Sequence, residues 1–95
     1  MRKITLKEVK EIGDYLKVNF RVVSPSTLKK GMEVELEHGA HDKRTDISND
    51  NLITTAKIAL AHLVEFPDYY ERLEAMEEKA EQYWTKRSKL DVFLP

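Results

Sequence analysis

Apolar positions in this chain recur at three- and four-residue steps through most of its length, the spacing of one face of an α-helix. The first run is Leu6, Val9, Ile12 and Leu16, with Lys7, Lys10, Glu11 and Asp14 left for solvent. It opens on Thr5-Leu6-Lys7-Glu8, the capping-box form in which a hydroxyl and a carboxylate each satisfy a free amide of the first turn. The pattern fades around Val18-Asn19-Phe20, so a short amphipathic helix is expected to end there.

Ser24-Pro25-Ser26-Thr27 reads as a second entry, because serine and threonine cap well and proline tolerates the first turn. Leu28, Met32 and Leu36 then step by four, and Gly39 can supply a left-handed stop, which favours a helix from about Ser26 to His38. The rival is a strand, since Met32, Val34 and Leu36 also alternate with Glu33, Glu35 and Glu37. The segment "AHDKRTDISND", residues 40 to 50, is polar and turn-rich and predicts a surface loop ending in candidate caps Ser48, Asn49 and Asp50. From Leu52 to Glu65 apolar residues leave few polar gaps, as expected of the central, most buried helix. Pro67 stops it and can start the next, where Asp68 would favour the positive end of the helix dipole. Tyr69, Tyr70, Leu73, Met76, Ala80, Tyr83 and Trp84 predict the buried side of a long last helix. The tail "LDVFLP", residues 90 to 95, is apolar without periodicity. There is no internal repeat or low-complexity tract. The expectation is one all-α domain over residues 1–95, a small bundle of about four helices, with the third at its centre and the second and fourth packed on it.

Composition narrows the functional classes. Ninety-five residues suit one core and at most one site. With 16 Lys plus Arg against 17 Asp plus Glu, there is no strong electrostatic signal for nucleic acid or for an anionic membrane. The basic cluster Lys86, Arg87 and Lys89 suits a helix end and is too small to carry nucleic-acid affinity alone. No cysteine occurs, so disulfides and thiolate ligands are excluded. No apolar run approaches the ~18 residues of a membrane span and no signal-peptide core precedes the first helix, so an intracellular location is expected.

The candidate chemistry lies in two mirrored pairs. Glu35 precedes His38 by three, and His62 precedes Glu65 by three; on helices each pair shares a face. Packed antiparallel, they could present two imidazoles and two carboxylates to zinc, iron or manganese, as Glu-x-x-His pairs do in helical bundles. Too few further carboxylates are placed for a two-metal centre, so a single ion is the better fit. The bland alternative is a solvated pair and a core histidine hydrogen-bonded to a carboxylate or tyrosine. With 11 glutamates in the chain, a histidine meets one three positions away about one time in four. His41 reads as a solvated loop residue, Lys57 as a snorkelling surface lysine, and Tyr69 and Tyr70 as core residues whose hydroxyls reach the rim, though either tyrosine could bind a ligand.

The stretches "IGDYLKVNF", "GMEVELEHG", "TDISNDN" and "KIALAHLVEFPDYYERLEAME" resemble, in this order, a family of small uncharacterised proteins of bacteriophages, large viruses and some bacteria. The resemblance runs from Ile4 to Glu77 and is most specific in "VELEHG" and in "IALAHL" leading into "EFPDYY". It implies no activity. It does imply a shared polar site, because the family pattern recurs at Glu35, Glu37, His38, Gly39, Lys57, His62, Glu65, Pro67, Asp68, Tyr69 and Tyr70, several of which packing does not require. The family's Thr-Asn-Val-Thr is here Thr45-Asp46-Ile47-Ser48, a conservative departure. The expected function is a phage-type binding or assembly module, non-enzymatic, with Glu35, His38, His62 and Glu65 in a polar or metal-linked knot. It would reside in the host cytoplasm or the virion. The alternative is a metal-dependent hydrolase in which Glu37 or Glu65 is the general base to a metal-bound water. A protein partner or self-association is expected through Leu90, Val92, Phe93 and Leu94, whose clustered apolar side chains fit an interface.

Overall fold

A computed structural model describes residues 3–40, 51–85 and 87, with residues 38–40 described in backbone only. Four α-helices follow in order: α1 Leu6–Leu16, α2 Pro25–Ala40, α3 Leu52–Glu65 and α4 Tyr69–Thr85, and there is no strand among the described residues. The all-α class expected from the periodicity is the observed one. No helix among the described residues is long and apolar enough to cross a membrane.

Each helix entry follows its local chemistry. At α1 the Thr5 hydroxyl accepts from the Glu8 amide at 3.1 Å while the Glu8 carboxylate accepts from the Thr5 amide at 3.1 Å, the reciprocal box read from the sequence. At α2 the Ser24 hydroxyl accepts from the Thr27 amide, with Pro25 in the first turn where no amide is needed. At α3 the cap is Asn51, whose side chain accepts from the Thr54 amide at 3.0 Å. Ser48, Asn49 and Asp50 were the expected caps, but the helix begins one residue later than they allow. Where α1 ends, Lys17 takes the left-handed conformation (φ 59°), and the amides of Lys17 and Val18 return to the carbonyls of Asp14 and Gly13. This is the Schellman closure, formed on a lysine in place of the usual glycine. It turns the chain so that the Phe20 ring lies over Gly13, where a Cβ would sit 2.1 Å from the ring.

The core is built from Ile4 and Val9, from Leu28, Met32 and Leu36 of α2, from Ala56, Ala59 and Leu63 of α3, and from Tyr70. The four-residue steps of α2 therefore mark its buried face, and the strand alternative is excluded: Met32 and Leu36 are buried, whereas Val34 between them is half-buried. Thr55 is fully buried on α3 and its hydroxyl donates to the Asn51 carbonyl at 2.8 Å, so no polar group is stranded there.

Three expectations need correction. α2 does not stop at Gly39; it continues to Ala40, and no described glycine has positive φ. α3 is central but not buried all round: it presents Thr55, Ala56, Ala59 and Leu63 to the core while Val64 is 84% exposed. The last helix buries only its beginning. Tyr70 is buried and Tyr69 and Leu73 pack against the core, whereas Met76, Tyr83 and Trp84 are exposed. Beyond Leu73, Glu74 and Glu77 still face α2 across the cleft at Lys30, while the apolar positions Met76, Tyr83 and Trp84 that continue the 3.6-residue pattern are exposed. The residues 41–50 and the apolar tail, including His41 and Leu90, Val92, Phe93 and Leu94, lie outside the described residues.

Candidate functional site

Gly31 and Glu35 are four residues apart on α2 and so share one face. The gap over Gly31 receives the ring of Tyr70: a Cβ at position 31 would lie 2.5 Å from Tyr70 Cε2 and 3.0 Å from Cζ. One turn further along, the Tyr70 hydroxyl donates to Glu35 Oε2 at 2.8 Å. The same oxygen lies 3.8 Å from Nε2 of His62 on α3, an ion-pair separation that a direct hydrogen bond does not span. The His62 imidazole stacks on the Tyr69 ring, with centroids 4.2 Å apart and planes 5° from parallel, and Tyr69 and Tyr70 meet edge to face at 5.0 Å. One carboxylate thus ties together three helices, and the two tyrosines of "PDYY" hold different faces of the same cluster.

Electrostatics fix the protonation of its centre. Burial, then the hydrogen bond to Glu35, then the charge of Glu35 push the Tyr70 hydroxyl well above the ordinary tyrosine range. Each acts against the phenolate, so Tyr70 is a standing donor and not a base or nucleophile at physiological pH. Glu35, its side chain 15% exposed, is an acceptor between a buried phenol and a partly exposed imidazole. The arrangement can orient helices; it offers no activated nucleophile.

The sequence suggested that two pairs, Glu35 with His38 on one helix and His62 with Glu65 on the next, meet in one knot between the helices. The structure pairs Glu35 with Tyr70 and His62 across helices. The His38 side chain lies outside the described residues, and Glu65 is exposed. Glu37 is exposed and borders a cleft of about 300 Å³ between α2 and α4, walled also by Lys30, Leu73 and Glu77. Across that cleft the Lys30 ammonium donates to Glu74 at 2.5 Å, which lowers the pKa of the Glu74 carboxyl. Lys57 is exposed, and Asp68 precedes α4, where it accepts from Arg72 Nε at 2.8 Å. No group of three or more His, Asp or Glu side chains that could hold a metal is present among the described residues.

Gly31 was missed in the sequence reading. Its signal was a glycine in a helix interior, one turn before an acid on the face carrying Leu28, which marks a slot for a large ring.

No curated protein and no solved structure matches the chain. A family model does, over residues 9–79, a span that begins inside α1 and runs through the whole Glu35–His62–Tyr70 cluster into α4. The chain therefore belongs to the family described as protein of unknown function (DUF5661).

Proposed function

We propose that the chain is a small non-enzymatic binding or assembly module of phage type, and that Glu35, His62 and Tyr70 are the brace holding α4 on α2 and α3. The observation that carries this reading is the commitment of Tyr70: it is 3% exposed, with its hydroxyl donated to Glu35 and its ring in the gap over Gly31. A side chain so engaged is unavailable to a substrate, while the exposed apolar side chains Met76, Tyr83 and Trp84 of α4 suit contact with a partner. The sequence resemblance to bacteriophage proteins supports the setting, a host cytoplasm or a virion.

The competing hydrolase would need a divalent ion at the Glu/His cluster. Thermal melting with added zinc or manganese, against chelator, separates the two, because an ion bound only by the native state raises the melting temperature by mass action. The brace predicts superimposable curves and a destabilised Tyr70→Phe. A metal-dependent gain that His62→Ala abolishes, accompanied by metal-dependent hydrolysis of a phosphoester or peptide, would replace this reading with the hydrolase.

A further inference from the structure

Three residues, Phe66, Pro67 and Asp68, separate α3 from α4. Phe66 is extended (φ −139°, ψ 105°), and Pro67 has no amide to bond. The turn is closed by the Tyr69 amide, which donates to the Phe66 carbonyl at 2.9 Å. Its side chains do little to hold it shut: Phe66 is 54% exposed, and Val64 just before it is 84% exposed. By contrast, the contacts between α4 and the body gather in the first six residues of the helix. Tyr69 stacks on His62, Tyr70 fills the gap over Gly31 and bonds Glu35, Leu73 packs on the core, and Glu74 pairs with Lys30. His62, Gly31, Glu35 and Lys30 sit on α2 and α3, not in the hinge.

A helix joined in this way can reach the same partners on a second copy. We propose that α4 is exchanged between two copies of the chain, opening at Phe66–Asp68, so that Tyr70 of each copy fills the gap over Gly31 of the other; this names the partner of the assembly module above and rests on that reading. The surface that receives α4 within one chain is the same surface on another, so the occupant of the cleft is already defined by its contacts in the closed form.

Closed and exchanged forms share the contacts between α4 and the body. Their difference lies in the hinge and in what the two copies add beside it. Opening breaks the hydrogen bond from the Tyr69 amide to the Phe66 carbonyl. In a reciprocal exchange the two hinges pass each other at the two-fold axis, which brings Val64 and Phe66 of both copies together and removes from water apolar surface that the closed chain exposes. So short a link also favours exchange, because it constrains the closed turn and is relaxed when extended.

An equal mixture of isotope-labelled and unlabelled full-length chains, unfolded together in urea and refolded at high protein concentration, tests the exchange. Gel filtration should separate a dimer from the monomer. A carbodiimide then joins Lys30 to Glu74 as an amide, with no spacer, because the two groups are already in contact. In the monomer each cross-linked peptide pair should carry a single isotope composition, whereas in the dimer about half should be mixed, as random two-fold pairing requires. Lengthening the hinge with Gly-Ser-Gly after Pro67 should lower the dimer fraction about fivefold or more without changing the helical content of the monomer. A chain that stays monomeric after refolding, a dimer with no mixed Lys30–Glu74 peptide, or a dimer fraction indifferent to hinge length would each overturn the proposal. Any of these failures would leave the non-enzymatic reading standing, because the latter falls only on the metal and hydrolysis results.

Discussion

Replacing Gly31 with alanine sets two effects of known size against each other. Alanine is favoured over an interior helical glycine by about 1 kcal/mol, so on propensity alone Gly31→Ala should stabilise α2. The new methyl, however, would stand 2.5 Å from Tyr70 Cε2, 3.0 Å from Cζ and 3.1 Å from Cδ2. These are atoms of a stiff, buried ring, not the end of a flexible chain. Overpacking of this kind costs about 1–3 kcal/mol. A ring pushed aside also draws its hydroxyl from Glu35, and a hydrogen bond to a charged group contributes about 1.5–3 kcal/mol. Part of that bond survives a small shift, so the net expectation is a loss of about 1–3 kcal/mol. In a domain of this size that lowers the melting temperature by roughly 5–15 °C. The assay is urea and thermal unfolding followed by far-ultraviolet circular dichroism, run in the native background and again with Tyr70→Leu, which deletes the two nearest ring atoms. With leucine at position 70 the same substitution should turn neutral or stabilising, since only propensity remains. If Gly31→Ala stabilises the native background, or costs the same in both, the ring does not occupy the gap as described.

Two further outcomes follow from the same geometry. Tyr70 keeps its proton in the folded chain where an unfolded tyrosine, with a pKa of about 10, loses it; its contribution is therefore complete below about pH 10, and stability should fall by about 1.4 kcal/mol per unit above it. Tyr70→Phe should be less stable at neutral pH and lack that extra slope, and parallel pH profiles for the two chains would contradict the burial of the hydroxyl. Thr5→Ala removes one half of the α1 box and should cost about 1 kcal/mol in denaturant unfolding, with no change in the near-ultraviolet signal of the tyrosines and Trp84; an unchanged midpoint would place the start of α1 elsewhere.

What could be read from the sequence was local. The entries at Thr5, Ser24 and Pro67 were legible because a cap, a proline or both sit within four residues of the helix they begin, and the steps Leu28–Met32–Leu36 because one face of α2 is buried throughout. The site was legible only by residue type. Glu35, His62, Tyr69 and Tyr70 stand out as polar or aromatic groups beside apolar faces, and the mirrored pairs suggested one site shared by Glu35 and His62, but the hydrogen-bond partner of Glu35 is Tyr70, 35 residues away, which no spacing rule marks. Nothing local encodes which helix face meets which. The extent of α4 burial failed for a related reason. Met76, Tyr83 and Trp84 follow the same periodicity as Leu73, and a period reports that a face is apolar without saying what covers it.

The Tyr70–Glu35 bond also bears on the order in which the chain assembles. Among the described residues, packing is densest between helices adjacent in sequence, α1 on α2 and α2 on α3, a local arrangement of the kind that favours fast folding. α4 is the exception. Its inward hold combines Tyr70, Leu73 and a bond spanning 35 residues, so the entropy of closing that loop must be met before the contact returns anything. α1 to α3 should therefore form the folding nucleus and α4 should dock afterwards, which makes Tyr70 a residue that governs how fast the native chain opens more than how fast it forms. Until docking, the gap over Gly31 and the carboxylate of Glu35 stay exposed on the face of α2, and the interval before Tyr70 arrives is the one in which that face is open to another chain's aromatic side chain.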